Sequence, residues 1–192
     1  SPPCPQVDDN GAVIGNEDCL YLNVWKPLAA SAGANLPVMV FVHGGGNTQG
    51  SASKLLDGFP LYDGHRLAER GQVVVVTLQY RLGALGFLVH PALAAESPQR
   101  VSGIYVLLDQ FAALDWVQRN IRAFGGDPSR VLLFGQSAGA LDTCMLVTSP
   151  LARGLFSRAL MESGGCNAKS ATERASEGEL LVAAVGCGHS AN

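Results

Sequence analysis

Apolar positions along this chain fall in continuous runs more often than in alternation. Pro37-Val38-Met39-Val40-Phe41-Val42, Val73-Val74-Val75-Val76-Thr77 and Val131-Leu132-Leu133 are the clearest. Short runs without polar interruption suit strands covered on both faces, as in a parallel sheet with helices on either side. The pattern predicts strands near 20–25, 37–43, 72–79, 130–134 and 156–161, with helices near 62–70, 104–122, 137–147 and 172–185. The 104–122 helix presents Leu107, Phe111, Leu114, Val117 and Ile121 on one face, opposite Gln110, Gln118 and Arg119, and stops before Gly125-Gly126. The 137–147 segment sets Leu141, Met145 and Val147 among small residues, as a buried helix does. The last helix opens on a capping box, Ser170 with Glu173, and stops at Gly186. Strands and helices alternate with no low-complexity linker and no internal repeat, so the class is α/β and residues 1–192 are read as a single domain.

Chemistry concentrates where two of these strands end. Val131-Leu132-Leu133 runs into Phe134-Gly135-Gln136-Ser137-Ala138-Gly139-Ala140, the form of a nucleophile elbow. There a sharp strand-to-helix turn lifts a serine into solvent, and glycines two positions either side make room for the close approach of strand and helix. Taken alone the motif also fits a glycine-lined turn with an incidental serine. The run 37–42 leads into His43-Gly44-Gly45-Gly46, whose small residues leave backbone N–H groups free to converge. Acyl transfer through serine needs such donors, because each lowers the energy of the tetrahedral oxyanion by about 2.7–4 kcal/mol. This loop ahead of this elbow is the α/β-hydrolase combination. A phosphate cradle is disfavoured, since the loop has neither a Gly-Lys-Ser/Thr ending nor Gly-x-Gly-x-x-Gly spacing. His43, at a strand end, is read as structural and not as a catalytic base.

The succession of blocks resembles the type-B carboxylesterase family, which includes bacterial and animal carboxylesterases, cholinesterases and fungal lipases. The blocks are Asn16-Glu17-Asp18-Cys19-Leu20-Tyr21-Leu22-Asn23-Val24-Trp25, residues 37–46, Tyr80-Arg81-Leu82-Gly83-Ala84-Leu85-Gly86-Phe87-Leu88, Leu107-Leu108-Asp109-Gln110 and Phe124-Gly125-Gly126-Asp127-Pro128. The resemblance implies an α/β-hydrolase fold, incomplete here, comprising the N-terminal half of a mostly parallel sheet with the elbow. It implies Ser137 as nucleophile and the N–H groups of Gly45, Gly46 and Ala138 as the oxyanion hole. It further implies that Ser163 helps orient a triad acid, that Arg81 and Asp109 form a structural ion pair, and that Cys4 pairs with Cys19 across the turn-rich Asp8-Asp9-Asn10-Gly11. Cys187 matches a cysteine whose family partner lies downstream, while Cys144 and Cys166 are read as buried free thiols.

In this fold the triad runs Ser, acid, His, and family members place the last two far beyond the nucleophile. Only His189 follows Ser137 among the histidines, in a polar tail behind a helix, and Glu162 follows the serine too soon. Acid and base are therefore expected outside residues 1–192, in the C-terminal half of the same protein. The start is equally abrupt, without the family's usual opening hairpins.

Composition adds exclusions. A net charge of −3 with 15% charged residues suggests neither a nucleic-acid nor an anionic-membrane surface, and no apolar run is long enough to span a bilayer. Cysteine and histidine spacing offers no zinc site, and acyl transfer needs no cofactor. The expected partner is a small-molecule ester. Gln136, where many relatives carry Glu, makes the site less negative and favours neutral esters. Ile104 and Val106 stand where relatives have Asn and Gly, a change that strains the backbone if φ there is positive. A Cys4–Cys19 bridge implies a secreted or extracytoplasmic protein, although the chain carries no signal-peptide pattern. The alternative function is a non-catalytic, cholinesterase-like adhesion or binding module.

Overall fold

The computed structural model describes residues 2–187. His189 therefore lies outside the described residues. A short hairpin opens the chain, β1 (Gln6–Val7) against β2 (Val13–Ile14), followed by β3 (Leu22–Trp25) and β4 (Leu36–Val42). A second small hairpin, β5 (Leu55–Leu56) with β6 (Phe59–Pro60), precedes α1 (His65–Gly71) and β7 (Val74–Leu78). Two short helices, α2 (Gly83–Phe87) and α3 (Pro91–Glu96), lead to α4 (Tyr105–Asn120), whose end tightens into a 3-10 turn over Ile121–Phe124. Then come β8 (Gly126–Gln136), α5 (Ala138–Thr148), β9 (Arg158–Glu162) and α6 (Ala171–Ala184).

Five strands form one sheet in the order β3-β7-β4-β8-β9. Only β3 runs antiparallel to its neighbour; β7, β4, β8 and β9 are parallel. Every residue of β7 is buried, the outcome its unbroken valine run requires. Val38, Val40, Val42, Val74, Val76, Val131 and Leu133 from the sheet pack with Leu114 and Val117 of α4 and with Ile121 of the 3-10 turn that follows it. Each such side chain removed from water contributes about 1.5–3 kcal/mol.

The nine expected elements are present with ends shifted by a few residues, and the structure adds six the pattern did not signal: the four two-residue strands of the two hairpins, and α2 and α3, which fill the segment after Tyr80. The largest boundary difference is β8, which starts at Gly126 because Gly126 pairs with Leu36 of β4, ahead of a turn in which Asp127 accepts hydrogen bonds from Ser129 N and Oγ at 2.9 and 2.8 Å. That turn is absorbed as a register shift against β4 between Leu36 and Val38.

Two expectations about faces need correction, and the condition set for strain at Val106 is not met. Gln110 is wholly buried, because α4 is covered on that side by α5 and Asp142 accepts its amide. In α5 the small residues and Leu146 face the core, while Val147 is exposed and Leu141 and Met145 are half-buried. Val106 sits in the first turn of α4 without positive φ and is fully buried, so it carries no backbone strain; the positive φ belongs to Gly103.

Candidate active site

Parallel strands deliver their carboxyl ends to one edge of the sheet, where open α/β folds collect functional loops. Four segments meet there: His43–Gly50 after β4, Gln79–Arg81 after β7, Ser137 after β8 and Ser163–Gly164 after β9. Register places Val42 beside Gly135 and Gly135 beside Met161, so the turns that follow are neighbours.

Ser137 has φ 56° and ψ −119°, a conformation L-residues rarely adopt, in the linker between β8 and α5. Its N–H donates to Glu162 O at 2.8 Å, and its carbonyl accepts from Ala140 N and Leu141 N at 3.0 and 3.2 Å. The flanking glycines are fixed by space. A Cβ on Gly135 would overlap Gly139 O, and one on Gly139 would overlap Val42 O. Behind the serine, a Cβ on Gly164 would lie 2.6 Å from both Ser137 O and Ala140 Cβ. Ser163, just before it, takes φ 54° and is exposed.

The glycine loop lies directly against this turn, since a Cβ on Gly44 would come within 2.8 Å of Gln136 O and 3.0 Å of Ser137 Cβ. Gly45 has φ 115° and its missing Cβ would overlap Gln49 O. Gly45 O instead accepts from Thr48 N and Gln49 N, closing a tight turn. The N–H groups of Gly45, Gly46 and Ala138 have no acceptor among the described residues.

Side chains hold the loop from several directions. Gln6 pairs both ways with the backbone of Gly50, at 2.9 and 2.8 Å. Gln79 donates to Ser51 Oγ and accepts from Ala52 N. Tyr80 donates its hydroxyl to His43 O at 2.6 Å and stacks on the His43 ring at 4.3 Å. Asn47, at φ 58°, donates to Asp142 Oδ1 at 2.8 Å, and Gln110 donates to Asp142 Oδ2 at 2.8 Å. None of these six residues was singled out as a site residue in the sequence. A polar residue inside a glycine-rich stretch, as Asn47 is, and an acid on an otherwise apolar helix, as Asp142 is, were the available signals.

His43 is buried and its Nδ1 donates to Gly44 O at 2.8 Å. Burial lowers its pKa to about 4. It serves the strand end, as expected. Burial also raises the Asp142 pKa to about 6, against the opposing pull of Gln110 and Asn47. Arg81 and Asp109 form the expected pair, a two-pronged ion pair at 2.6 and 2.8 Å supported by Arg81 N. Among the described residues no His/Cys/Asp/Glu group could hold a metal ion, and no helix is long and apolar enough to cross a membrane.

Cys4 and Cys19 are bridged. Cys144 and Cys166 are bridged too, which overturns their reading as buried thiols. Only Cys144 is buried; Cys166 lies on the exposed segment leaving β9, which turns back over α5 and brings the two Cα atoms to 5.5 Å. The two bridges are compatible with an oxidising compartment.

Known proteins resemble this chain in sequence and fold. The chain is 54% identical over 166 residues to the fumonisin B1 esterase of Sphingopyxis macrogoltabida, covering 86% of this chain and 29% of that one. It is 47% identical over 189 residues to the para-nitrobenzyl esterase of Bacillus subtilis, covering 95% and 36%. The solved structure of a thermophilic PNB esterase superimposes with a TM-score of 0.85 at 44% identity, over 97% of this chain and 38% of that one. The chain thus spans roughly a third of the length of these relatives, and its fold is that part of an α/β-hydrolase. The model of the carboxylesterase family matches residues 1–192, and the chain belongs to that family.

Proposed function

We propose that these residues supply the nucleophile and oxyanion-binding part of a serine carboxylic-ester hydrolase acting on neutral esters. Ser137 Oγ attacks the ester carbonyl carbon, and the carbonyl oxygen becomes an oxyanion that accepts hydrogen bonds from Gly45, Gly46 and Ala138 N–H. Collapse expels the alcohol and leaves an acyl-serine, which water then cleaves to release the acid and restore Ser137. The observation that carries this reading is the strained Ser137 packed against a glycine turn whose N–H groups have no acceptor among the described residues.

The serine hydroxyl is a weak nucleophile until a base removes its proton. None of the described histidines hydrogen-bonds Ser137, and His43 is committed to Gly44 O. The proposed base and the acid that orients it accordingly lie outside the described residues. Neutral Gln136 beside Ser137 supports uncharged esters over cationic ones. Two disulfides support a secreted or extracytoplasmic site of action. An intact serine and glycine turn favour the hydrolase over an adhesion module.

Fluorophosphonate labelling of the chain, with Ser137→Ala as control and a nitrophenyl-ester assay alongside, tests the proposal. The expected result is a folded chain with negligible turnover. Rapid Ser137-dependent labelling with turnover would overturn the assignment of the base to other residues.

A further inference from the structure

Asp142 is a carboxylate with 1% exposure, on the helix that begins beside the nucleophile. Burying an ionisable group is costly, and an apolar residue of similar size would usually be at least as stable there. Among the described residues no cation hydrogen-bonds it. Its two oxygens are occupied by two neutral amides from different elements, Asn47 in the loop after Gly46 and Gln110 in α4. The remaining amide oxygens, Asn47 Oδ1 and Gln110 Oε1, are buried without hydrogen-bond partners. Both amides thus turn their NH₂ groups toward the carboxylate at the expense of their own acceptors, an arrangement that only a double acceptor at position 142 stabilises.

Asn47 is well placed to transmit that hold. It follows Gly46 directly, sits in the left-handed region, and accepts Gly83 N at 2.7 Å through its backbone carbonyl. We propose that Asp142 is a positioning residue for the Gly44–Gly46 turn, its carboxylate tying Asn47 to α5 and, through Gln110, to α4. This rests on the reading of that turn as the oxyanion-binding element only for its catalytic consequence; the tie itself is a structural statement.

The two substitutions at this position separate a tie from mere filling. Asp142→Leu keeps the bulk and orphans both amides. Asp142→Asn restores the network, because its oxygen accepts from Asn47 while its NH₂ donates to the oxygen of a flipped Gln110 amide. Amide hydrogen exchange in the 192-residue chain reads the result at Thr48 and Gln49, bonded to Gly45 O, and at Gly83, bonded to Asn47 O.

In Asp142→Leu these amides exchange about tenfold faster while the amides of β4, β7 and β8 keep their rates, and in Asp142→Asn they stay within about twofold of the parent. Unchanged loop exchange in Asp142→Leu, acceleration spread evenly over the sheet, or Asp142→Asn as loose as Asp142→Leu would each overturn the proposal. Should Asp142→Leu fail to fold, Asn47→Ala carries the same prediction from the loop side. Exchange does not depend on turnover, so a failure of the oxyanion reading would show as a loosened loop with an unaltered Ser137 labelling rate, distinct from a failure of the tie.

Discussion

The elbow around Ser137 and the turn around Gly45 lie in contact, yet they are held by different physics. At the elbow, strand, helix and the end of β4 approach until no side-chain atom fits at Gly135 or Gly139, and backbone contact alone fixes the conformation. The Gly45 turn is more open, and side chains from Gln6, Gln79, Tyr80 and Asp142 hold it by hydrogen bonds. A packed turn is rigid in one state, whereas a tied turn is as firm as its weakest hydrogen bond, each worth about 1 kcal/mol net. The difference puts rigidity under the proposed nucleophile and adjustability under the groups proposed to receive the oxyanion.

The sharpest way to break the contrast is at Gly139. Gly139→Ala sets a methyl into Val42 O and is expected to cost more than about 3 kcal/mol, read as a lost or strongly shifted urea transition. An unaffected midpoint would mean that the elbow is not sterically fixed.

Removing the Cys144–Cys166 bridge, whose ends are separated by 22 positions in sequence, is next, at about 3 kcal/mol. Because this staple joins α5 to the segment carrying Ser163 and Gly164, Cys144→Ser with Cys166→Ser should loosen residues 163–168 and leave Thr48 and Gln49 exchange unchanged. Loosening of the glycine turn would show that the two regions are mechanically one.

The tied side also carries two opposed titrations. Asp142 has its folded pKa raised from 3.8 to about 6, so the folded state holds the proton longer and stability falls as pH rises from about 4 to about 6. His43 has its folded pKa lowered from 6.5 to about 4, so the unfolded state takes the proton first and stability falls as pH drops through the same range. Each shift corresponds to about 3 kcal/mol, and the two nearly cancel. Lys54 beside His43 and Tyr80 beside Asp142 are the charged and titratable neighbours. The parent should therefore be almost flat in thermal midpoint between pH 4 and 6, while Asp142→Asn exposes the His43 slope and loses stability toward pH 4. Parallel profiles for the two proteins would contradict the opposed pair.

Gly46→Ala should have the smallest effect. Its Cβ would meet only Thr48 Oγ1 at 3.6 Å, so the cost is the positive φ of 65° alone, about 1 kcal/mol.

This division also decides what could be read from the chain. Packed elements leave a local imprint: Val73–Thr77 announces a strand buried on both faces, and Gly135, Ser137 and Gly139 announce a strained turn at fixed spacing. The capping box of Ser170 with Glu173 is likewise local, and the helix starts where it predicts. Ties that join distant segments leave no such imprint. Asn47 and Asp142 are 95 residues apart, Gln79 and Ser51 are 28 apart, and each polar residue is ordinary in its own neighbourhood. Gln110 was misplaced for that reason, since helical periodicity assigns a glutamine to the wet face unless a partner across the helix pair is known. Cys144 and Cys166 were misjudged in the same way, because the return of the segment after β9 over α5 is tertiary information.

What most needs testing is the proposal that the described residues hold a preorganised serine and oxyanion-binding turn while the base that activates them lies elsewhere. Fluorophosphonate labelling of Ser137 across an imidazole series tests it directly, with Ser137→Ala as background. The account predicts slow labelling without imidazole and acceleration proportional to its concentration, as the added base replaces the one supplied elsewhere. Fast labelling independent of imidazole, or none at any concentration in a folded chain, would contradict it.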